Sequence, residues 1–225
     1  MTRTFDRYVN NDLISYISRP QYENSCPFTA LTAVFNYLYA DKLGIRTSNE
    51  LASAIGITAP KNITGYGNAK VMSFFDKLCR HYGVKGEGGY FIRAADVRDF
   101  NNNAQVFSKL KTAIKSQETA LIYHTSNHYN LVVGYFEHAE NPDDAYNPSA
   151  SLIRWLIIGE HTEYSPIPDI VQAGGKFIAS LIHKGIPYNQ LMERSNSSPI
   201  WSRRWKDVRQ DLMGNGVHCM MRYAK

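Results

Sequence analysis

Two apolar runs sit either side of a three-residue polar break. Thr119-Ala120-Leu121-Ile122-Tyr123-His124 precedes Thr125-Ser126-Asn127, and His128-Tyr129-Asn130-Leu131-Val132-Val133-Gly134-Tyr135-Phe136 follows it. A gap so short brings two β-branched and aromatic runs together as an antiparallel hairpin. Leu152 to Ile158 supplies a third strand, ending in Gly159-Glu160-His161. Residues 137–151 carry Pro142, Asp143, Asp144, Asn147 and Pro148 and read as a polar loop inserted between strands. Gly88 to Ile92 marks another strand entry, and Val217 to Tyr223 a final strand after the turn Gly214-Asn215-Gly216.

The first half has a different period. Ala30, Leu31, Val34, Phe35 and Leu38 recur at helical spacing, predicting an apolar stripe on a helix that opens at Cys26-Pro27 and closes at Gly44. Pro fits the first turn, where its missing N–H has no partner to lose. A second short helix opens at Ser48 as N-cap. A third is capped by Asn68, carries Val71, Phe74, Phe75 and Leu78, and ends at Gly83. Val106, Leu110 and Ile114 mark a helix between strands, Phe177 to Ile182 another, and Trp201 to Met213 the last. Residues 1–20 read as a lead-in whose Leu13, Ile14 and Ile17 pack on the body, and 185–200 as loop. The fold class expected is therefore α+β.

At 225 residues the chain suits one domain in two lobes: a helical lobe over about 20–90, a sheet lobe over about 90–162, and a C-terminal extension over 163–225 with no assigned role. Cys26, Cys79 and Cys219 are odd in number, widely spaced and free of any CxxC pair, which excludes a zinc ribbon or a disulfide framework. Cys79 and Cys219 read as core thiols. No metal-ligand pattern and no phosphate-binding loop is present, so no cofactor is expected. The N-terminal stretch lacks an apolar signal region and no run is long enough to span a bilayer. The expectation is a cytoplasmic protein without membrane contact, export by a dedicated machine remaining open. Net charge is +5, and the densest basic run is Arg203-Arg204-Trp205-Lys206 with Arg209 beyond it. Asp207 and Asp211 interleave, so the run reads as a solvated helix face and nucleic acid is not the expected partner.

Chemistry concentrates at Cys26. A thiol at a helix N-terminus faces the positive end of the aligned peptide dipoles, which favours the thiolate. His128, projecting from the start of a buried strand, is placed to act as its base. Glu160, at the end of the neighbouring strand, is placed to orient that imidazole. Gln21 and the Cys26 N–H would hold a developing oxyanion.

Gln21, Asn24-Ser25-Cys26-Pro27-Phe28-Thr29-Ala30-Leu31 and the later Asn127-His128-Tyr129-Asn130-Leu131-Val132-Val133-Gly134-Tyr135 resemble the papain-like fold. Within it, they resemble the bacteriocin-processing peptidases that cut double-glycine leaders. The resemblance spans about residues 20–162. It implies a bacterial cysteine peptidase with Cys26 as nucleophile, His128 as base, Glu160 as orienter and Gln21 as oxyanion donor. Its substrate would be a peptide or protein, cut at a peptide or isopeptide bond. Pro27 stands where that family has Gly, the step from Gln21 to Cys26 is one residue shorter, and Glu replaces Asp or Asn as orienter. Two further readings therefore stand beside hydrolysis: an acyltransferase or transglutaminase reaction on the same residues, and a catalytically inactive papain-like fold serving as a protein-interaction module. Oligomeric state is not specified by the sequence.

Overall fold

The computed structural model describes residues 5–17, 25–57, 66–99, 103–125, 128–159 and 200–225. The elements in order are β1 (Asp6–Val9), α1 (Asn11–Ile14), α2 (Cys26–Leu43), α3 (Ser48–Ala54), α4 (Asn68–Tyr82), β2 (Glu87–Ile92), α5 (Ala94–Arg98) and α6 (Asn103–Lys115). After them come β3 (Thr119–Thr125), β4 (His128–Ala139), β5 (Leu152–Gly159), β6 (Ile200–Arg204), α7 (Trp205–Gly214) and β7 (Cys219–Ala224).

The expected hairpin is β3–β4, with Thr125 opposite His128 and Leu121 opposite Val132. It lies within one antiparallel sheet in the order β2-β7-β3-β4-β5-β6. β4 is the longest strand and shares one edge between two partners. Residues 128–132 pair with β3 and residues 134–137 with β1, while β5 runs along the other edge. Gly134 makes that junction possible, since a Cβ there would stand 2.5 Å from the Tyr8 carbonyl oxygen. A register shift at Val133 accompanies it, and Asn10 N–H closes the join on the Val133 carbonyl at 2.8 Å.

Strand side chains alternate between faces, and both faces are covered. Ala120, Ile122, Leu131, Val133 and Met221 pack under α1–α4. Leu121, Tyr123, Val132, Leu156 and Met220 pack under α5, α6 and α7. The α2 helix is buried at 13 of its 18 residues, all round instead of along one stripe, as a helix enclosed by other elements must be. Its polar residues are satisfied inside: the Thr32 hydroxyl donates to the Phe28 carbonyl at 2.8 Å, and the Asn36 amide exchanges two 2.8 Å bonds with the Arg46 backbone.

Several local expectations shift. The lead-in contains β1, and Leu13, Ile14 and Ile17 are buried. The N-cap of α3 is Thr47 in a capping box with Glu50, and Gly67 precedes α4, with Asn68 its first residue. Gly83 ends α4 in the left-handed conformation, as a Gly cap should. The last helix starts only at Trp205, because residues 200–204 pair with β5 as β6. Within the C-terminal extension the expected last helix and final strand are present as α7 and β7, and β6 is an additional strand. The expected helix over 177–182 lies outside the described residues, as does the expected loop over 185–200 up to its last residue, Ile200, which opens β6.

Candidate functional site

The start of α2, the start of α4 and the ends of β3, β4 and β7 meet at one end of the sheet. Cys26 opens α2, is 8% exposed, and lies in the same core as Tyr129, the residue after His128. Across the sheet Tyr129, His124 and Cys219 form one row. The rings of His124 and Tyr129 stack with centroids 4.3 Å apart. The Tyr129 hydroxyl stands 3.0 Å from both the Tyr66 carbonyl and Asn68 Oδ1, and Asn68 Nδ2 donates to the Val217 carbonyl at 2.7 Å. His124 Nδ1 lies 3.0 Å from the same carbonyl, and His218 Nδ1 2.9 Å from that of Asp211. A carbonyl only accepts, so each imidazole carries its proton on Nδ1.

The electrostatics follow from burial. Burial lowers the pKa of His124, the charges of His218 and His128 lower it further, and only the Val217 carbonyl opposes them. Burial pushes the Cys219 thiol up to about 12 and raises Cys79 as well. Burial also raises Tyr129, with Cys219, Cys26 and Tyr90 nearby. All three cysteines are free and buried. What this cluster does is join elements: α4 and β3 to the turn before β7, through Asn68 and His124 on the Val217 carbonyl, and β4 to α4 through Tyr129.

Of the four residues singled out by sequence, Cys26 and His128 come to this end, one opening α2 and the other opening β4 and half-buried. Gln21 and Glu160 lie outside the described residues. Sequence reasoning gave neither Tyr129 nor His124 a role of its own. Strand alternation from Leu131 and Val133 was the signal that puts Tyr129 on the α2 side. Among the described residues no three His, Cys, Asp or Glu side chains group as metal ligands, and no helix is long and apolar enough to cross a membrane.

A second feature lies at the edge strand β2. A groove of about 320 Å³ is lined by Glu87, Gly88, Gly89, Tyr90, Phe91, Lys109 and Arg222. Two glycines, two aromatic residues and two cations beside one carboxylate make up that lining. Lys109 Nζ lies 4.7 Å from the Phe91 ring centre, and the Arg93 guanidinium 5.5 Å from that of Tyr90, which is 47% exposed. Arg222 pairs with Glu87 at 2.7 Å, both of them solvated. The basic run expected on a helix surface is divided. Arg203 pairs with Asp211 at 2.5 Å, Arg204 stacks over Trp155, and Arg209 is buried, with Nη2 donating to the Val97 carbonyl at 2.6 Å.

The described molecule is an antiparallel α+β protein with helices on both faces of its sheet, a buried polar cluster at one end and an open groove at one edge. The chain belongs to the basic immunoglobulin-like variable motif-containing protein family, whose model matches residues 7–173. Relatives described by that name are 28% identical over 222 residues in Xenopus laevis (93% of this chain, 43% of the relative) and 29% identical over 163 residues in Xenopus tropicalis (67% and 33%). Another from Giardia intestinalis is 27% identical over 138 residues (58% and 50%). The chain thus spans between a third and a half of the length of the curated relatives it matches. No solved structure gives a significant match.

Family membership corrects the peptidase expectation. The chain is not assigned to the bacteriocin-processing peptidases, these relatives are eukaryotic, and nothing in their description indicates a cysteine peptidase or hydrolase. The expected cysteine-dependent acyl-transfer activity falls with it, while Cys26 and His128 stand at the same end of the sheet and Gln21 and Glu160 lie outside the described residues. The motif was misleading for a physical reason. Pro27 belongs in the first turn of any helix, and Gly134 is demanded by the carbonyl of Tyr8. Leu131, Val132 and Val133 fill the two cores. A buried helix start and a doubly covered strand write much of the same short pattern without catalysis.

Proposed function

We propose that the chain is a non-catalytic protein-interaction module on a papain-like α+β arrangement, one part of a longer architecture in its relatives. The papain-like layout is supported by a long buried helix opening at Cys26 and packed on the antiparallel strand that opens at His128. The observation that carries the interaction reading is the β2 groove: two glycines, two aromatic residues and two cations beside one carboxylate at an open strand edge. Such a surface offers main-chain hydrogen bonds and side-chain pockets together, which is how peptide-binding modules gain affinity and selectivity.

The test is selection of binders from a displayed library of random dodecapeptides, followed by titration of the selected peptides by fluorescence anisotropy. Saturable binding with dissociation constants on the order of micromolar, about −8 kcal/mol, is expected. A protein that is folded by circular dichroism yet yields no saturable peptide overturns the reading.

A further inference from the structure

Gly88 and Gly89 are adjacent in β2 and stand there for different reasons. A Cβ on Gly88 would meet the Tyr223 ring at 3.1 Å, so the fold itself asks for glycine there. A Cβ on Gly89 would meet nothing within 4 Å, and its φ is not among the positive values, so neither packing nor backbone conformation requires it. Glycine inside a strand costs stability and commonly marks a place where another backbone comes close. Here it lines the groove with Lys109, Phe91 and Arg222.

The surroundings say what would come close. β2 is the terminal strand of the sheet order, paired on one side with β7. Residues Glu87 to Tyr90 keep regular register with β7, and the irregularity between Tyr90 and Ile92 ends the flat strip. Its two faces differ. Glu87 and Gly89 share a face with Arg222 and Lys109, whereas Tyr90 lies on the other. The formal charge of the lining is two cations, Lys109 and Arg222, against one carboxylate, Glu87, with Arg93 beside Tyr90 adding a third cation.

We infer that the β2 edge takes an extended acidic segment of another protein as an added strand, with acidic side chains on the Lys109–Arg222 face and apolar ones alternating onto the Tyr90 face. This rests on the interaction-module reading and names its partner class. Exposed edges of this kind are templates for strand addition, and side-chain alternation turns the two faces into a sequence preference. An incoming carboxylate would take the place of Glu87 on Arg222, an exchange between like groups. A second copy of the chain fits less well, because pairing β2 with β2 would bring the same cations together.

The probe is a fluorescein-labelled octapeptide of alternating Glu and Val, titrated into the full chain by anisotropy. A Lys-Val octapeptide and a Glu-Val octapeptide with N-methylated backbone amides are the comparisons. The Glu-Val peptide should bind saturably, more weakly as salt rises, and both comparison peptides should fail. Gly89→Glu, which sets a fixed carboxylate on the Lys109–Arg222 face where the acidic side chains of the segment would lie, should weaken binding several-fold while leaving the melting temperature unchanged, since a side chain there meets open space. Lys109→Ala should weaken binding by up to about fivefold, the size of one exposed charge pair. The assignment is overturned if the Lys-Val or N-methylated peptide binds as well as the probe, if folded Gly89→Glu binds normally, or if the probe does not bind. If library-selected peptides bind in that last case, the module reading survives and only the acidic-strand assignment fails.

Discussion

Gly134 and Gly89 lie on strands of one sheet and answer to opposite demands. At Gly134 the β1 backbone crosses so closely that a Cβ would stand 2.5 Å from the Tyr8 oxygen and 3.2 Å from the Val9 Cα. Backbone cannot swing aside as a side chain can, so Gly134→Ala should cost about 1–3 kcal/mol of overpacking, read as a lower urea midpoint. Gly89→Ala, with open space above it, should instead hold or gain up to about 1 kcal/mol from reduced unfolded-state freedom. A Gly134→Ala variant as stable as the parent would mean that β1 does not dock in this register. At this scale the sequence was legible where a residue answers to its neighbours in the chain: Gly83 as a helix stop, Pro27 in a first turn. It was opaque where the demand comes from far away. Nothing local to Gly134 announces Tyr8, and the glycine was therefore read as part of a peptidase strand motif.

The elements show the same division. The β3–β4 hairpin, α2 and α4 were legible, because their apolar periods are complete within the segment. The strand β6 was not. Residues 201–213 carry enough helical character to read as one helix, and only pairing with β5 divides them at Arg204. The basic run at this junction was read as one solvated surface, yet Arg209 is 6% exposed and joins α7 to α5 through the Val97 carbonyl. Arg209→Ala should cost about 1–3 kcal/mol, the range for leaving a buried polar group unsatisfied, with Lys206→Ala near zero by the same urea titration. Equal and small effects from both would return Arg209 to the surface. The candidate site divides likewise. The thiol at the α2 start and the histidine at the β4 start could be named from local pattern. The stacking of His124 on Tyr129 needs a strand register that no local pattern states.

Across the whole molecule, β1, α6, β4 and β5 are joined by one charged chain. Lys111 Nζ lies 2.8 Å from Asp6 and 2.5 Å from Glu137, Arg154 lies 3.0 Å from Glu137, and the Tyr135 hydroxyl donates to Asp6 at 2.9 Å. Burial alone would raise the Asp6 carboxyl, but the bonds from Lys111 and Tyr135 and the charges of Lys111 and Lys115 outweigh it, and its pKa is held below the ordinary 3.8. His124 is held below its ordinary 6.5. Both groups bind protons more readily in the unfolded chain, so stability rises with pH through each window. Melting temperature should fall first as pH drops through 6.5, then again below 3.8, and at the alkaline end it should fall as pH rises past 9, where the unfolded chain gives up the thiol protons that buried Cys219 and Cys79 keep. His124→Gln should remove the first fall and leave the second; a variant that retains both would place the first on another group. The sheet order carries a last consequence, for the time course of folding. β7, residues 219–224, is central, holding β2 on one side and β3 on the other. On a ribosome, the hairpin and the helical layer can form as they emerge, but β2 has no described strand partner until residue 219 and its successors are released. Until then the strip around Gly89 lacks the β7 backbone that holds it in the sheet, so a chain halted before residue 219 presents β2 without its described partner.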